Sequence, residues 1–239
     1  MKIACWSGPR NISTALMRSW SSRNDTFVSD EPFYAYYLKK TGLNHPMAKQ
    51  IVEYYPSSYS DIITYLEQEI PYSKSIWYQK HMAHHLLDSE DINWINNFKN
   101  CFLIRHPKKV ISSYIVKNNL KSIYELGYLQ QWKLIQHLLE NQKKIFVIDS
   151  SQILNNPELS LGKWCNWLNI NFDPKMLSWK KGYHQNDGIW AKHWYNSVIL
   201  SNRFINEGLS SDKENSLNSK YDKIYEEAME YYNLMLGLV

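Results

Sequence analysis

Short apolar runs and longer helical patterns take turns along most of this sequence, and that alternation leaves few architectures open. The strand-like runs are Lys2–Trp6, Thr26–Asp30, Ser75–Gln79, Asn100–Ile104 and Lys144–Ile148. Helical patterns lie between them at Ile12–Ser22, Tyr59–Ile70, Ser89–Phe98, Pro107–Asn118 and Ile123–Gln142. Strands that alternate with helices pair in parallel, with the helices as crossovers. The expectation is an α/β fold. Pro157–Leu168 and Lys220–Leu236 read as two further helices, and Asp173–His193 as a loop-rich stretch. No repeat or linker interrupts the 239 residues, so the chain reads as one domain, 1–239.

Composition narrows the function classes. Aromatic residues are 15% of the chain, far too many for a disordered segment. The formal charge of +4 is scattered, without the basic stripe that nucleic acid requires. No window approaches the ~18 apolar residues of a membrane span. The N-terminus enters a strand with no apolar signal segment. Cys5, Cys101 and Cys165, odd in number and widely spaced, read as reduced thiols. The resulting expectation is a cytoplasmic chain with no membrane or nucleic-acid partner; its oligomeric state is not written in the sequence.

In parallel sheets, ligands sit beyond the carboxyl ends of the strands. After the first run comes Ser7-Gly8-Pro9-Arg10-Asn11-Ile12-Ser13-Thr14 and then a helix. Gly8 permits a tight turn and close backbone approach. Ser13 and Thr14 place hydroxyls where the helix begins, and its unpaired N–H groups favour an anion. Arg10 adds a planar fork of donors suited to sulfonate or phosphate. The Walker pattern G-x-x-x-x-G-K-[ST] is absent. After the fourth run, Arg105 stands at the strand tip, Pro107 suits a first helical turn, and Ser113 follows on that helix. An Arg and a hydroxyl placed this way can grip one phosphate.

Together these two segments resemble the sulfotransferase family, whose fold is a variant of the P-loop nucleotide-binding type. The first loop is similar to the family's 5′-phosphosulfate loop. The Arg105–Ser113 segment has the R-x-P-x(5)-S spacing of its 3′-phosphate motif. Phe146 to Leu168, with Asn156-Pro157 inside it, resembles the family's strand, N-P and leucine-rich helix passage. Trp179-Lys180-Lys181-Gly182, followed by Asp187-Gly188-Ile189-Trp190-Ala191-Lys192-His193-Trp194-Tyr195, resembles the late loop that closes over the 3′-phosphate. The patterns G-P-R-N-x-S-T and D-E-P-F-Y-A-Y-Y-L are similar to a bacterial branch of the family, some members of which carry aminotransferase-like names. No pyridoxal-lysine pattern is visible here.

The resemblance implies a three-layer P-loop-like fold, with a central parallel sheet of about five strands flanked by helices. It implies transfer of a sulfuryl group from PAPS (3′-phosphoadenosine-5′-phosphosulfate, product PAP) to a hydroxyl or amine of a small-molecule acceptor, without a metal. Gly8, Pro9, Arg10, Asn11, Ser13 and Thr14 would hold the 5′ side, with Arg10 stabilising the leaving phosphate. Arg105, Ser113, Lys181 and Gly182 would hold the 3′-phosphate. The base would be Glu31, after the second strand, or His81. The family's histidine segment reads K-x-H where this chain reads Lys80-His81, one residue shorter. Lys80 is a second contact for the sulfonate, and Phe33 and Tyr34 are candidate acceptor-pocket residues. His81, His84 and His85 lack the Cys or carboxylate partners of a metal site. The competing readings are an ATP-dependent phosphotransferase and a non-catalytic nucleotide-binding protein on the same fold.

Overall fold

The computed structural model describes residues 1–206 and 217–239. One sheet holds β1 (Lys2–Ser7), β2 (Thr26–Asp30), β3 (Ile76–Met82), β4 (Lys99–Ile104) and β5 (Ile145–Asp149). Its order is β2-β3-β1-β4-β5, and every neighbouring pair is parallel. The central strand β1 is apolar on both faces because both faces are covered. Ile3 and Cys5 pack with Leu16, Trp20 and Trp164 on one side. Ala4 and Trp6 pack with Ile62, Val110, Leu134 and Met235 on the other. The result is the three-layer α/β arrangement expected from the sequence.

The helices are α1 (Ser13–Ser21), α2 (Tyr34–Thr41), α3 (Ala48–Tyr54), α4 (Tyr59–Glu67), α5 (Pro107–Tyr114), α6 (Tyr128–Glu140), α7 (Ser150–Asn155), α8 (Pro157–Trp167), α9 (Ala191–Trp194), α10 (Asn196–Leu200) and α11 (Asp222–Leu236). Two expectations need correction. The helix expected at Ser89–Phe98 is only a 3-10 turn at Asn93–Asn97. Asp91 accepts from the Asn93 N–H there, and the Asp and Asn side chains compete with helical hydrogen bonding. The helix expected at Ile123–Gln142 is split at Gly127, whose φ of 76° is left-handed. In addition, α2 and α3 occupy a stretch in which no helix was expected. Gly42 closes α2 in the left-handed conformation usual for a helix end.

The strand order places the site. The chain lays down β2 and β3 on one side of β1, then crosses to β4 and β5 on the other. Loops leaving β1 and β4 therefore diverge and open a crevice at their carboxyl ends. Arg10 follows β1, and Arg105 follows β4.

Candidate active site

The loop after β1 is shaped by close backbone packing. A Cβ on Gly8 would lie 2.0 Å from the Leu126 carbonyl oxygen, and one on Gly127 would lie 3.1 Å from Gly8 Cα. Both positions therefore require glycine. Beyond Gly8 the backbone turns through left-handed conformations at Arg10 (φ 62°) and Ile12 (φ 57°). Such geometry costs about 1–3 kcal/mol per residue and concentrates at ligand sites. It leaves α1 with no side-chain cap, so its first N–H groups and positive dipole end are left for an anion.

Two distant segments meet on this loop. Arg105 Nη1 donates to the Arg10 carbonyl at 2.7 Å, and the Tyr128 hydroxyl donates to the Arg105 carbonyl at 2.6 Å. Arg10 Nε donates to Ser113 Oγ at 3.0 Å. Arg10 has no carboxylate partner among the described residues; its hydrogen bonds go to the Ser113 hydroxyl and carbonyl. Its pKa is lowered by burial and then by the charge of Arg105. Two adjacent guanidinium groups at an uncapped helix start form a pocket complementary to an anion.

The end of β2 supplies the opposite charge. Glu31 has a φ of 45°, which turns its side chain away from the strand direction. Lys80 on β3 is fully buried, and its three ammonium protons meet Asp30 Oδ1 at 2.8 Å, Glu31 Oε1 at 2.5 Å and Tyr195 Oη at 2.7 Å. Burial raises the Glu31 pKa, Lys80 opposes the rise, and Asp30 adds to it. Burial disfavours the Lys80 charge, but Asp30 and Glu31 outweigh it and the pKa is raised.

Arg10, Arg105, Ser113, Glu31 and Tyr195 border one cavity of about 450 Å³, and the buried Lys80 and Asp30 do not. Pro9, Arg10, Asn11, Ser13 and Thr14 line it, as do Arg105 and Ser113. Glu31 and Tyr34 line it as well. Other expected residues lie elsewhere. Gly8 shapes the loop without lining the cavity, and Lys80 is sealed behind Glu31. His81 points into the core, stacked on Trp6 at 4.4 Å and next to Phe33 at 5.8 Å. Burial takes its pKa down to about 3, and it does not line the cavity. Phe33 belongs to the same core. Lys181 and Gly182 are also outside the lining; their segment is tied to residues 199–203 by Gly182 N–H to the Ile199 carbonyl and Trp179 N–H to the Asn202 carbonyl.

Several other lining residues were not among those expected to bind donor or acceptor. Arg203 brings a third guanidinium, and its backbone is placed by an antiparallel bridge to Ser178. His45, His84 and His85 stand near Tyr34, whose ring stacks on His85 and whose hydroxyl meets His45 Nδ1 at 2.9 Å. Burial makes these imidazoles neutral, taking His84 down to about 3 and His85 well below its ordinary value. Among the described residues no group of three His, Cys, Asp or Glu is disposed to hold a metal ion. No helix among them is long and apolar enough to cross a membrane.

The central parallel sheet with its flanking helices is shared with solved sulfotransferase structures. The sulfotransferase domain of the Synechococcus PCC 7002 olefin synthase superposes with a TM-score of 0.61 at 16% identity, covering 99% of this chain and 94% of that one. The sulfotransferase domain of the curacin biosynthetic pathway gives 0.55 at 16% identity, covering 98% and 96%. Mouse sulfotransferase SULT7A1 complexed with PAP gives 0.55 at 14% identity, covering 99% and 88%. The sulfotransferase domain model matches residues 1–237, and the chain belongs to that family. A curated relative, branched-chain-amino-acid aminotransferase-like protein 1 of Arabidopsis thaliana, is 32% identical over 98% of the chain and 41% of its own length. The corresponding protein 2 is 30% identical over 84% of the chain and 36% of its own length. The chain thus spans less than half the length of the curated relatives it matches.

Proposed function

We propose that this sulfotransferase takes its sulfuryl group from PAPS and passes it to a hydroxyl or amine of a small acceptor. One observation carries the reading: Arg10, Arg105, the uncapped start of α1 and Glu31 all border the same cavity. The residues fit a doubly phosphorylated nucleotide. Arg10 lacks a carboxylate partner among the described residues, so its charge is left to meet an anion. The mouse sulfotransferase of similar fold is complexed with PAP, a ligand of the same kind.

When bound, PAPS supplies the sulfuryl group and a nucleotide leaving group. Arg10, Ser13, Thr14 and the α1 N–H groups hold the 5′ side and stabilise charge as it builds on the leaving phosphate. Arg105 and Ser113 hold the 3′-phosphate. Glu31 accepts the proton of the attacking hydroxyl or amine, and burial tunes it toward that role. Tyr34 and the neutral imidazoles His45 and His85 line the acceptor end. The reading goes with a cytoplasmic chain acting as one domain, and the three cysteines are buried and free.

Thermal shift with PAP, ADP and ATP is the direct test. PAP raises the melting temperature and ADP and ATP do so far less. An equal response to all three, or none to PAP, removes the 3′-phosphate site and the proposal with it. Glu31→Gln should then lower PAPS turnover by about 10²–10⁴-fold with PAP affinity little changed.

A further inference from the structure

The late segment Asp187–Tyr195 approaches Glu31, with Tyr195 Oη 3.3 Å from Glu31 Oε1. It is anchored at one end by Asp187, whose carboxylate meets Arg18 of α1 at 2.5 Å with both side chains buried. Next, the Gly188 N–H donates to Asp30 Oδ2 at 3.1 Å. Only glycine fits there, because a Cβ would fall 2.1 Å from the Trp190 ring. Trp190 Nε1 donates to Tyr195 Oη at 3.1 Å, and Tyr195 Oη lies 2.7 Å from Asp30 Oδ2.

Hydrogen-bond accounting assigns every proton in this cluster. A tyrosine hydroxyl has two lone pairs and one proton, and an ammonium has three protons. Tyr195 accepts from Lys80 and from Trp190, so its single proton goes to a carboxylate, and Asp30 Oδ2 at 2.7 Å is much nearer than Glu31 Oε1 at 3.3 Å. Burial, then Asp30 and Glu31, push the Tyr195 pKa far above the ordinary value, so the hydroxyl keeps that proton. Lys80 spends one proton on each of Asp30, Glu31 and Tyr195. Glu31 Oε1 is thereby fixed by Lys80, and no described residue hydrogen-bonds Oε2.

We propose that Tyr195 is a positioning residue: by donating to Asp30 and accepting from Lys80, it divides the Lys80 ammonium between two carboxylates and leaves one oxygen of Glu31 aimed at the acceptor. The inference rests on Glu31 being the base. Around Glu31 the charged and titratable groups are Asp30 on its own strand, Lys80 on β3, Tyr34 on α2 and Tyr195 after α9. His85, which faces Lys80, is neutral. Without the Tyr195 hydroxyl, Asp30 loses a donor and draws Lys80 toward itself. Glu31 then loses part of its cationic partner, and its proton affinity rises.

The experiment reads the Glu31 carboxyl by ¹³C NMR in glutamate-labelled, PAP-saturated protein, assigned with Glu31→Gln. Tyr195→Phe should move the Glu31 titration up by about one pH unit while PAP affinity stays within about twofold. Asp30→Asn should move it the other way, because Lys80 is then left to Glu31. An unmoved titration in Tyr195→Phe, or a loss of PAP affinity in parallel with any shift, makes Tyr195 merely structural and overturns the inference. Should Tyr195→Phe not fold, Asp30→Asn decides, and an upward or absent shift there overturns it. Failure of the wild-type protein to bind PAP is a different result and strikes the proposed donor instead.

Discussion

Arg10 Nε donates to Ser113 Oγ at 3.0 Å, joining the segments that follow β1 and β4, 103 residues apart in the chain. The same arginine receives Arg105 on its carbonyl oxygen. The two segments proposed to hold phosphate are therefore one hydrogen-bonded unit, and changes in either should be felt at both ends of a bound nucleotide.

Ser113→Ala leaves Arg10 a remaining acceptor, the Ser113 carbonyl at 3.3 Å, so the guanidinium stays near its place. The expected loss is roughly tenfold in PAP affinity, about 1.4 kcal/mol, with ADP affinity little changed. Arg105→Ala removes a charge as well as the bond to Arg10, and the loss should be roughly a hundredfold. Titration calorimetry at one fixed salt concentration measures both, and an Arg105→Ala protein with wild-type PAP affinity takes Arg105 out of the site.

Gly8→Ala puts a methyl group into the Leu126 carbonyl oxygen, and backbone on both sides leaves little room to yield. Overpacking of this kind costs about 1–3 kcal/mol. Urea unfolding should show that loss, and PAP affinity should fall with it because the loop carrying Arg10 is displaced. A variant as stable as the parent would show that the Gly8–Gly127 approach is not fixed.

Asp187→Ala strands Arg18 in the interior, where its Nε already lacks a hydrogen bond among the described residues. Removing one partner of a buried ion pair costs about 3–5 kcal/mol. The midpoint of urea unfolding is the observable. A change below about 1 kcal/mol, roughly the value of an exposed pair, would contradict the buried assignment.

Acid should destabilise this protein as the pH falls below about 6.5. Burial depresses His81 and His84 to about 3, and His85 well below its ordinary value, from an unfolded value of 6.5. Their stabilising contribution is complete above pH 6.5 and is lost as pH falls from there toward the folded values. Unfolding takes up protons in that window, so each histidine adds a slope of up to about 1.4 kcal/mol per pH unit. Melting temperatures between about pH 7 and pH 4.5 test this, and His81→Phe should flatten the curve. A flat curve in the parent protein would show that the imidazoles reach water.

Local chemistry was enough to read the five strands, the glycine at the first turn, and both arginines at strand tips. Apolar runs bounded by turn residues need no partner to be recognised, and an Arg or Ser/Thr pair after a strand has the same meaning wherever the chain goes next. The splitting of the expected Ile123–Gln142 helix was hidden because its cause is Gly8, more than a hundred residues away. The orientation of Lys80-His81 was equally hidden. Neighbouring strand residues point to opposite faces, so one of the pair joins the carboxylates and the other the aromatic core, and nothing in the dipeptide says which. Arg203 at the cavity lies beyond every stretch the sequence marked, and Tyr195 beside Glu31 was legible only as the end of the late loop, with no sign of its partner. Sequence alone carried the elements and the charges at their ends. Which of those charges meet, and which are sealed away, was settled by the stacking of layers, since proton sharing over about 3 Å depends on contacts that distant residues make through space.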